Sequence, residues 1–168
     1  MNNILADVLV KLGDHISTDD IASSKYVTER TPEALAKICL RDVDPEFPLK
    51  MAAGGIVVAG INFGCGSGRE TAPIALKGAG ALAVVAEEFA RIFYRNAFNL
   101  GLPCIECPGI HAMVNIGDRL ELDLAGGRVI NQTQGIGVES KPISDILLKQ
   151  IEAGGLIPIL KAKLSMRK

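Results

Sequence analysis

Apolar and polar positions along the chain predict strands alternating with helices. Residues 4–11 read as an opening strand, and residues 13–31 as a polar loop rich in Ser, Thr and Asp. Thr31-Pro32-Glu33 then starts a short helix to about Leu40, with Thr at the N-cap, Pro at N1 and an acid in the first turn. Residues 42–50 carry two prolines and read as a loop. The β-branched run 56–59 and the apolar run 82–86 have the pattern of strands buried on both faces. A helix is predicted from about Gly68 to Lys77, stopping at Gly78-Ala79-Gly80. The clearest helix covers residues 87–100: Phe89, Ile92, Phe93, Asn96 and Leu100 share a face, and Gly101 suits the position after the C-cap. Strands follow at 104–107, 119–124 and 128–130, the last two joined by Ala125-Gly126-Gly127. Ser144 caps a helix to about Ala153, and residues 156–160 read as a closing strand.

This order describes one α/β domain, residues 1–168, with a mixed sheet and flanking helices. With 18 basic and 19 acidic residues the chain has a net charge of −1, without the basic footprint of a nucleic-acid binder. The apolar run 51–61 is glycine-broken and too short to span a bilayer, and no signal peptide is visible, so a soluble cytoplasmic protein is expected. Metal-ligand types are scarce: two His lie far apart and four Cys show no framework spacing. Prolines flank the close pair Cys104 and Cys107, which reads as a strand rather than a redox helix start, so buried, inert thiols are expected. No metal site is assigned to this chain.

Chemistry concentrates in Gly60-Ile61-Asn62-Phe63-Gly64-Cys65-Gly66-Ser67-Gly68-Arg69-Glu70, a glycine-rich turn between strand and helix. It fails as a P-loop, because no glycine is followed by Gly-Lys-Ser/Thr at the needed spacing. The last glycine spacing is wrong for a dinucleotide fingerprint, and Cys65 and Arg69 flank Ser67 where a nucleophile elbow needs glycines. Ser67-Gly68-Arg69-Glu70 has the Ser-x-x-Glu spacing of a capping box, which puts Ser67 at the helix N-cap. Negative charge on oxygen is favoured there, whether on a ligand carboxylate or on Ser67 as an alkoxide. Arg69 opposes the helix dipole in that first turn, and a guanidinium so placed suits a carboxylate ligand. Plain capping by Ser67 and a solvated Arg69 explain these residues equally well.

The turn resembles the signature of the aconitase-type swivel domain, and the chain length is similar to that of the separate small subunits of the 3-isopropylmalate dehydratase family. Gly13-Asp14-His15-Ile16-Ser17-Thr18-Asp19-Asp20-Ile21 resembles that family's N-terminal loop. The stretch from Phe89 to Asn96, with Asn99-Leu100-Gly101-Leu102-Pro103, resembles its helix and exit turn. The resemblance runs from about residue 5 to 160. It implies a swivelling β/β/α fold docked on a large subunit that carries a [4Fe–4S] cluster. It also implies dehydration and rehydration of a small hydroxy acid, in leucine biosynthesis for the isopropylmalate enzymes. By the same resemblance Ser67 is the catalytic base, Arg69 holds a substrate carboxylate, and Thr18 and Asp19 line the site; a salt bridge from Asp19 to Arg69 is expected.

Two positions depart from the family pattern: Gly68 stands for a usual second serine and Thr71 for a histidine. Gly68 then offers substrate only its backbone N–H. The resemblance ties substrate choice to the loop with Thr28 and Arg30, where isopropylmalate enzymes carry an apolar residue near position 28 and homoaconitate enzymes an arginine. Homocitrate, citramalate and dimethylmalate therefore stand beside isopropylmalate as substrates. A stand-alone carboxylate- or phosphate-binding module is the alternative from another class, with a thiol redox protein behind it.

Overall fold

The computed structural model describes residues 3–166. Its strands are β1 (Asn3–Lys11), β2 (Gly55–Ala59), β3 (Ala81–Ala86), β4 (Cys104–Glu106), β5 (Arg119–Asp123), β6 (Arg128–Asn131) and β7 (Ile136–Glu139). The helices are α1 (Thr18–Ile21), α2 (Pro32–Ile38), α3 (Phe47–Met51), α4 (Thr71–Ala79), α5 (Arg91–Asn99), α6 (Ile110–Met113), α7 (Asp145–Glu152) and α8 (Leu156–Ser165). One seven-stranded sheet has the order β4-β3-β2-β1-β5-β6-β7. Its β4-β3-β2-β1 half is parallel and its β1-β5-β6-β7 half antiparallel, as expected for a mixed sheet with helices around it.

The two halves share β1. Residues 3–7 of that strand pair with β5, and Val8, Val10 and Lys11 pair with β2 across a register shift between Val8 and Val10. β2 is buried along its whole length, which explains its unbroken apolar sequence. Parallel strands direct their carboxyl ends to one edge of a sheet, where connecting loops commonly build sites. The loops that follow β1 and β2 there hold the Thr18-Asp19 pair and the glycine-rich turn.

Several predicted elements shift. α4 begins at Thr71 rather than 68, because the backbone of Ser67 and Gly68 is engaged by other elements. α5 begins at Arg91 rather than 87: Phe63 N–H donates to Glu88 O (3.0 Å) and Ala90 N–H to Phe63 O (2.9 Å), which holds that entry extended. The loop expected over 42–50 ends in the helix α3, and the loop over 13–31 contains α1. α6 and β7 were not expected. The closing strand over 156–160 is instead part of α8, none of whose side chains is buried. Ser144 occupies the N-cap position of α7, but its side chain makes no capping bond.

Candidate functional site

Phe63 anchors the glycine-rich turn. It is fully buried and packs edge-on against Phe93 of α5 at 5.3 Å between ring centroids and against Phe89 at 5.9 Å. Gly64 lets the backbone lie on Phe93: its φ is +81°, and a Cβ there would fall 2.2 Å from the ring carbon Cγ. Gly66, at φ +99°, turns the chain back toward Thr18. Backbone bonds then stitch the turn to the first loop, with Gly64 N–H donating to Ile16 O (2.7 Å) and Thr18 N–H to Cys65 O (2.7 Å).

Ser67 does not cap a helix. The N-cap position of α4 is Glu70, in helical conformation and without a side-chain capping bond. The capping box that does form lies in the first loop. Ser17 Oγ accepts from Asp20 N–H at 3.0 Å, and Ser17 N–H donates back to Asp20 Oδ2 at 2.8 Å. This fixes the first turn of α1, where Thr18 is 4% exposed.

Thr18 Oγ1 accepts from Ser67 N–H at 3.0 Å and stands 3.1 Å from both Ser67 O and Ser67 Oγ. Arg69 Nε–H donates to Ser67 Oγ at 2.9 Å. The hydrogen-bond partners of the Ser67 hydroxyl are therefore Arg69, which donates, and Thr18, not a helix terminus. Arg69 precedes α4, so it does not sit against the dipole within the first turn as its spacing suggested. Its Nη2 lies 3.7 Å from Asp19 Oδ1, the expected ion pair, and the same carboxylate oxygen accepts from Ser24 N–H at 3.1 Å. Asn96 Nδ2–H donates to Gly68 O at 2.9 Å, tying the other side of the turn to α5.

Ser67, Gly68, Arg69, Thr18 and Asp19 are thus brought together. Arg30 joins them through an open cleft of about 240 Å³, lined by Arg30, Arg69, Glu70, Thr71 and Ile74. Thr28 is exposed and does not line that cleft. A Cβ on Gly68 would meet Ile92 Cγ2 at 3.0 Å, so a serine there would press on an exposed isoleucine of α5. Asn96 was legible only as one residue on a helix face; the signal was an amide placed among aromatic neighbours. His15 and Asn62, both at positive φ, also face each other across the two loops, Asn62 Nδ2 standing 3.2 Å from His15 Nδ1.

Among the described residues, no three His, Cys, Asp or Glu side chains converge in a way that could hold a metal ion. Cys39, Cys104 and Cys107 are free and buried, and burial pushes the Cys107 thiol up to about 11 and the other two further still. Cys104 and Cys107 are thus buried, as expected, whereas Cys65 is only partly so. Among the described residues, no helix is long and apolar enough to cross a membrane.

Residues 14–109, more than half the chain, match the aconitase C-terminal domain. The isopropylmalate/citramalate isomerase small subunit of Methanocaldococcus jannaschii is 47% identical over 165 residues, covering 98% of each chain. The 3-isopropylmalate dehydratase small subunit of Pyrobaculum calidifontis is 54% identical over 149 residues, covering 89% of this chain and 92% of its own. A crystal structure of a 3-isopropylmalate dehydratase from Methanocaldococcus jannaschii superimposes with a TM-score of 0.89 at 36% identity, over 98% of this chain and 97% of that one. A fold that superimposes over nearly the whole chain and identity along nearly its whole length leave one assignment: the chain belongs to the 3-isopropylmalate dehydratase small-subunit family, built on the aconitase C-terminal domain.

Proposed function

We propose that this chain is the small subunit of a cytoplasmic hydro-lyase that interconverts 2- and 3-isopropylmalate by dehydration and rehydration, working with a large subunit. The observation that carries the reading is the Ser67 hydroxyl, held by Arg69 Nε–H at 2.9 Å and Thr18 Oγ1 at 3.1 Å beside a cleft with a second arginine.

A neutral serine is a weak base, so its alkoxide needs donors already aimed at it. Arg69 supplies a cationic donor and keeps further N–H groups for a substrate carboxylate. Arg30, on the same cleft, holds a second carboxylate, and the exposed Gly68 offers its backbone N–H. Ser67 takes the proton from the carbon next to a carboxylate, and the C–H electron pair becomes the alkene bond as hydroxide leaves. The family resemblance assigns the Lewis acid for that hydroxide to a [4Fe–4S] cluster on the large subunit. Rehydration returns the proton from Ser67 to carbon. Asp19 holds Arg69, while Ile74 gives the cleft one apolar wall for a branched alkyl group.

Citramalate is a further substrate on this reading, supported by the relative whose name carries both activities. A tricarboxylate such as homocitrate is the second reading, favoured by Arg30 and Arg69 lining one cleft. Reconstitution with the cognate large subunit under anaerobic conditions, assayed on 2-isopropylmalate, citramalate and homocitrate, tests both. Isopropylmalate turnover that Ser67→Ala lowers about 10²–10⁴-fold supports the assignment. Activity untouched by Ser67→Ala removes the base, and homocitrate as the better substrate replaces the first reading with the second.

A further inference from the structure

We propose that Thr18 acts on Ser67 rather than on substrate, as a hydroxyl switch that stabilises the serine alkoxide. The inference rests on the proposed role of Ser67 as the base. Thr18 is 4% exposed, so little of it is available to a ligand in the cleft. Its single oxygen is committed to one residue three ways. One lone pair accepts Ser67 N–H at 3.0 Å, and the one hydroxyl hydrogen has two acceptors at equal range, Ser67 O and Ser67 Oγ, each 3.1 Å away.

That geometry has two arrangements. With Ser67 protonated, Thr18 donates to Ser67 O, and the serine hydroxyl can donate to Thr18 Oγ1. With Ser67 as alkoxide, rotation about the Thr18 Cβ–Oγ1 bond moves the same hydrogen onto Ser67 Oγ, beside the bond from Arg69 Nε–H. No heavy atom moves, and no buried donor is left unpaired in either arrangement. When the alkoxide takes the substrate proton, the threonine hydrogen swings back to Ser67 O. The capping box of Ser17 and Asp20, the bond from Thr18 N–H to Cys65 O and the buried setting of Thr18 fix the pivot.

The charged group in contact with this pair is Arg69, which carries Asp19 of α1 as its ion-pair partner; Glu70 and Arg30 line the adjoining cleft together with Arg69. α5 presents the uncharged Asn96 and Ile92 to the turn.

Thr18→Val keeps the shape and removes the hydroxyl, whereas Thr18→Ser keeps the hydroxyl. In the complex with the large subunit, Thr18→Val lowers kcat about tenfold to a hundredfold, the range of a hydrogen bond to a charged group. KM stays within about twofold, the rising, acidic limb of the kcat–pH profile, which reports deprotonation of the base, moves to higher pH, and Thr18→Ser restores most of kcat. A rise in KM with kcat unchanged, or a Thr18→Ser variant as impaired as Thr18→Val, overturns the proposal. A second measurement needs no partner. A fluorophosphonate labels Ser67 in the isolated chain, more slowly in Thr18→Val by about tenfold and at the wild-type rate in Thr18→Ser. Equal labelling of wild type and Thr18→Val, or none in either, overturns it. Should the labelling difference appear while the wild-type complex turns over none of the three hydroxy acids, the function assigned above fails and the switch stands.

Discussion

Arg69 Nε donates to Ser67 Oγ across 2.9 Å while its Nη2 lies 3.7 Å from Asp19 Oδ1, so one guanidinium joins the Ser67 hydroxyl to a carboxylate on another loop. A lysine cannot hold both partners in that fork geometry. Arg69→Lys is expected to lower kcat/KM about a hundredfold in the reconstituted enzyme. Asp19→Asn is expected to cost less than about fivefold, because the ion pair is half-exposed and long. Steady-state kinetics of the two variants side by side check the order; a larger loss in Asp19→Asn would contradict it.

Gly64 sits where the turn meets Phe93. Gly64→Ala combines a positive φ with direct overlap of its Cβ on the ring, and should destabilise the fold by about 2–4 kcal/mol. Urea unfolding of the isolated chain measures this. Gly109→Ala serves as a comparison, since it shares a φ near +82° but meets nothing within 4 Å. Its loss should be the smaller of the two.

Asp118 is buried behind β5 and accepts from Asn115 N–H, Asn131 Nδ2 and Gln134 Nε2. The backbone N–H of Asn115, followed by the Asn131 amide, holds its carboxyl below the usual range. A carboxylate pKa depressed by folding adds stability above the unfolded-state value, and that stability is lost as pH falls through the folded value. Asp118→Asn should therefore be less stable than wild type at pH 7, with the gap closing below about pH 4. Urea titrations at the two pH values check the sign. A gap that widened in acid would refute it.

The thiols differ in access. Native chain treated with iodoacetamide at pH 8 should be alkylated at Cys65, which is partly exposed, and spared at Cys39, Cys104 and Cys107. Peptide mass spectrometry reads this directly. Denaturation before labelling should open all four.

Legibility followed the range of the forces involved. Thr31 was readable as a cap because its partner, Ala34 N–H, is three residues away, and β2 was readable because burial on both faces leaves an apolar run. Ser67 was misread for the opposite reason. Its local Ser-x-x-Glu spacing satisfies a capping box, but Thr18, 49 residues earlier, takes its N–H once β1 and β2 pair. A short apolar run is ambiguous between strand and helix, and residues 156–160 went to the helix α8. The four apolar side chains there, with one proline, carry too short a pattern to show a period. β7 reads weakly because Gly137 interrupts its four residues, and only its bonds to β6 make it a strand. The side chains of the site were legible as residue types in a motif. Their mutual distances were not, because they depend on which strands are neighbours.

β1 carries one last consequence. The side chains around Ser67 come from the loops after β1 and β2 and from α5, within the region that matches the aconitase C-terminal domain. The meander β5-β6-β7 lies beyond that region and pairs with the other edge of β1. A chain cut after β4 would keep every group of the site and leave β1 with a row of open N–H and C=O groups. Such an edge recruits strands from other copies. The meander thus acts as a guard on the sheet, and its removal should first be seen as a protein that clumps rather than one that has lost its chemistry.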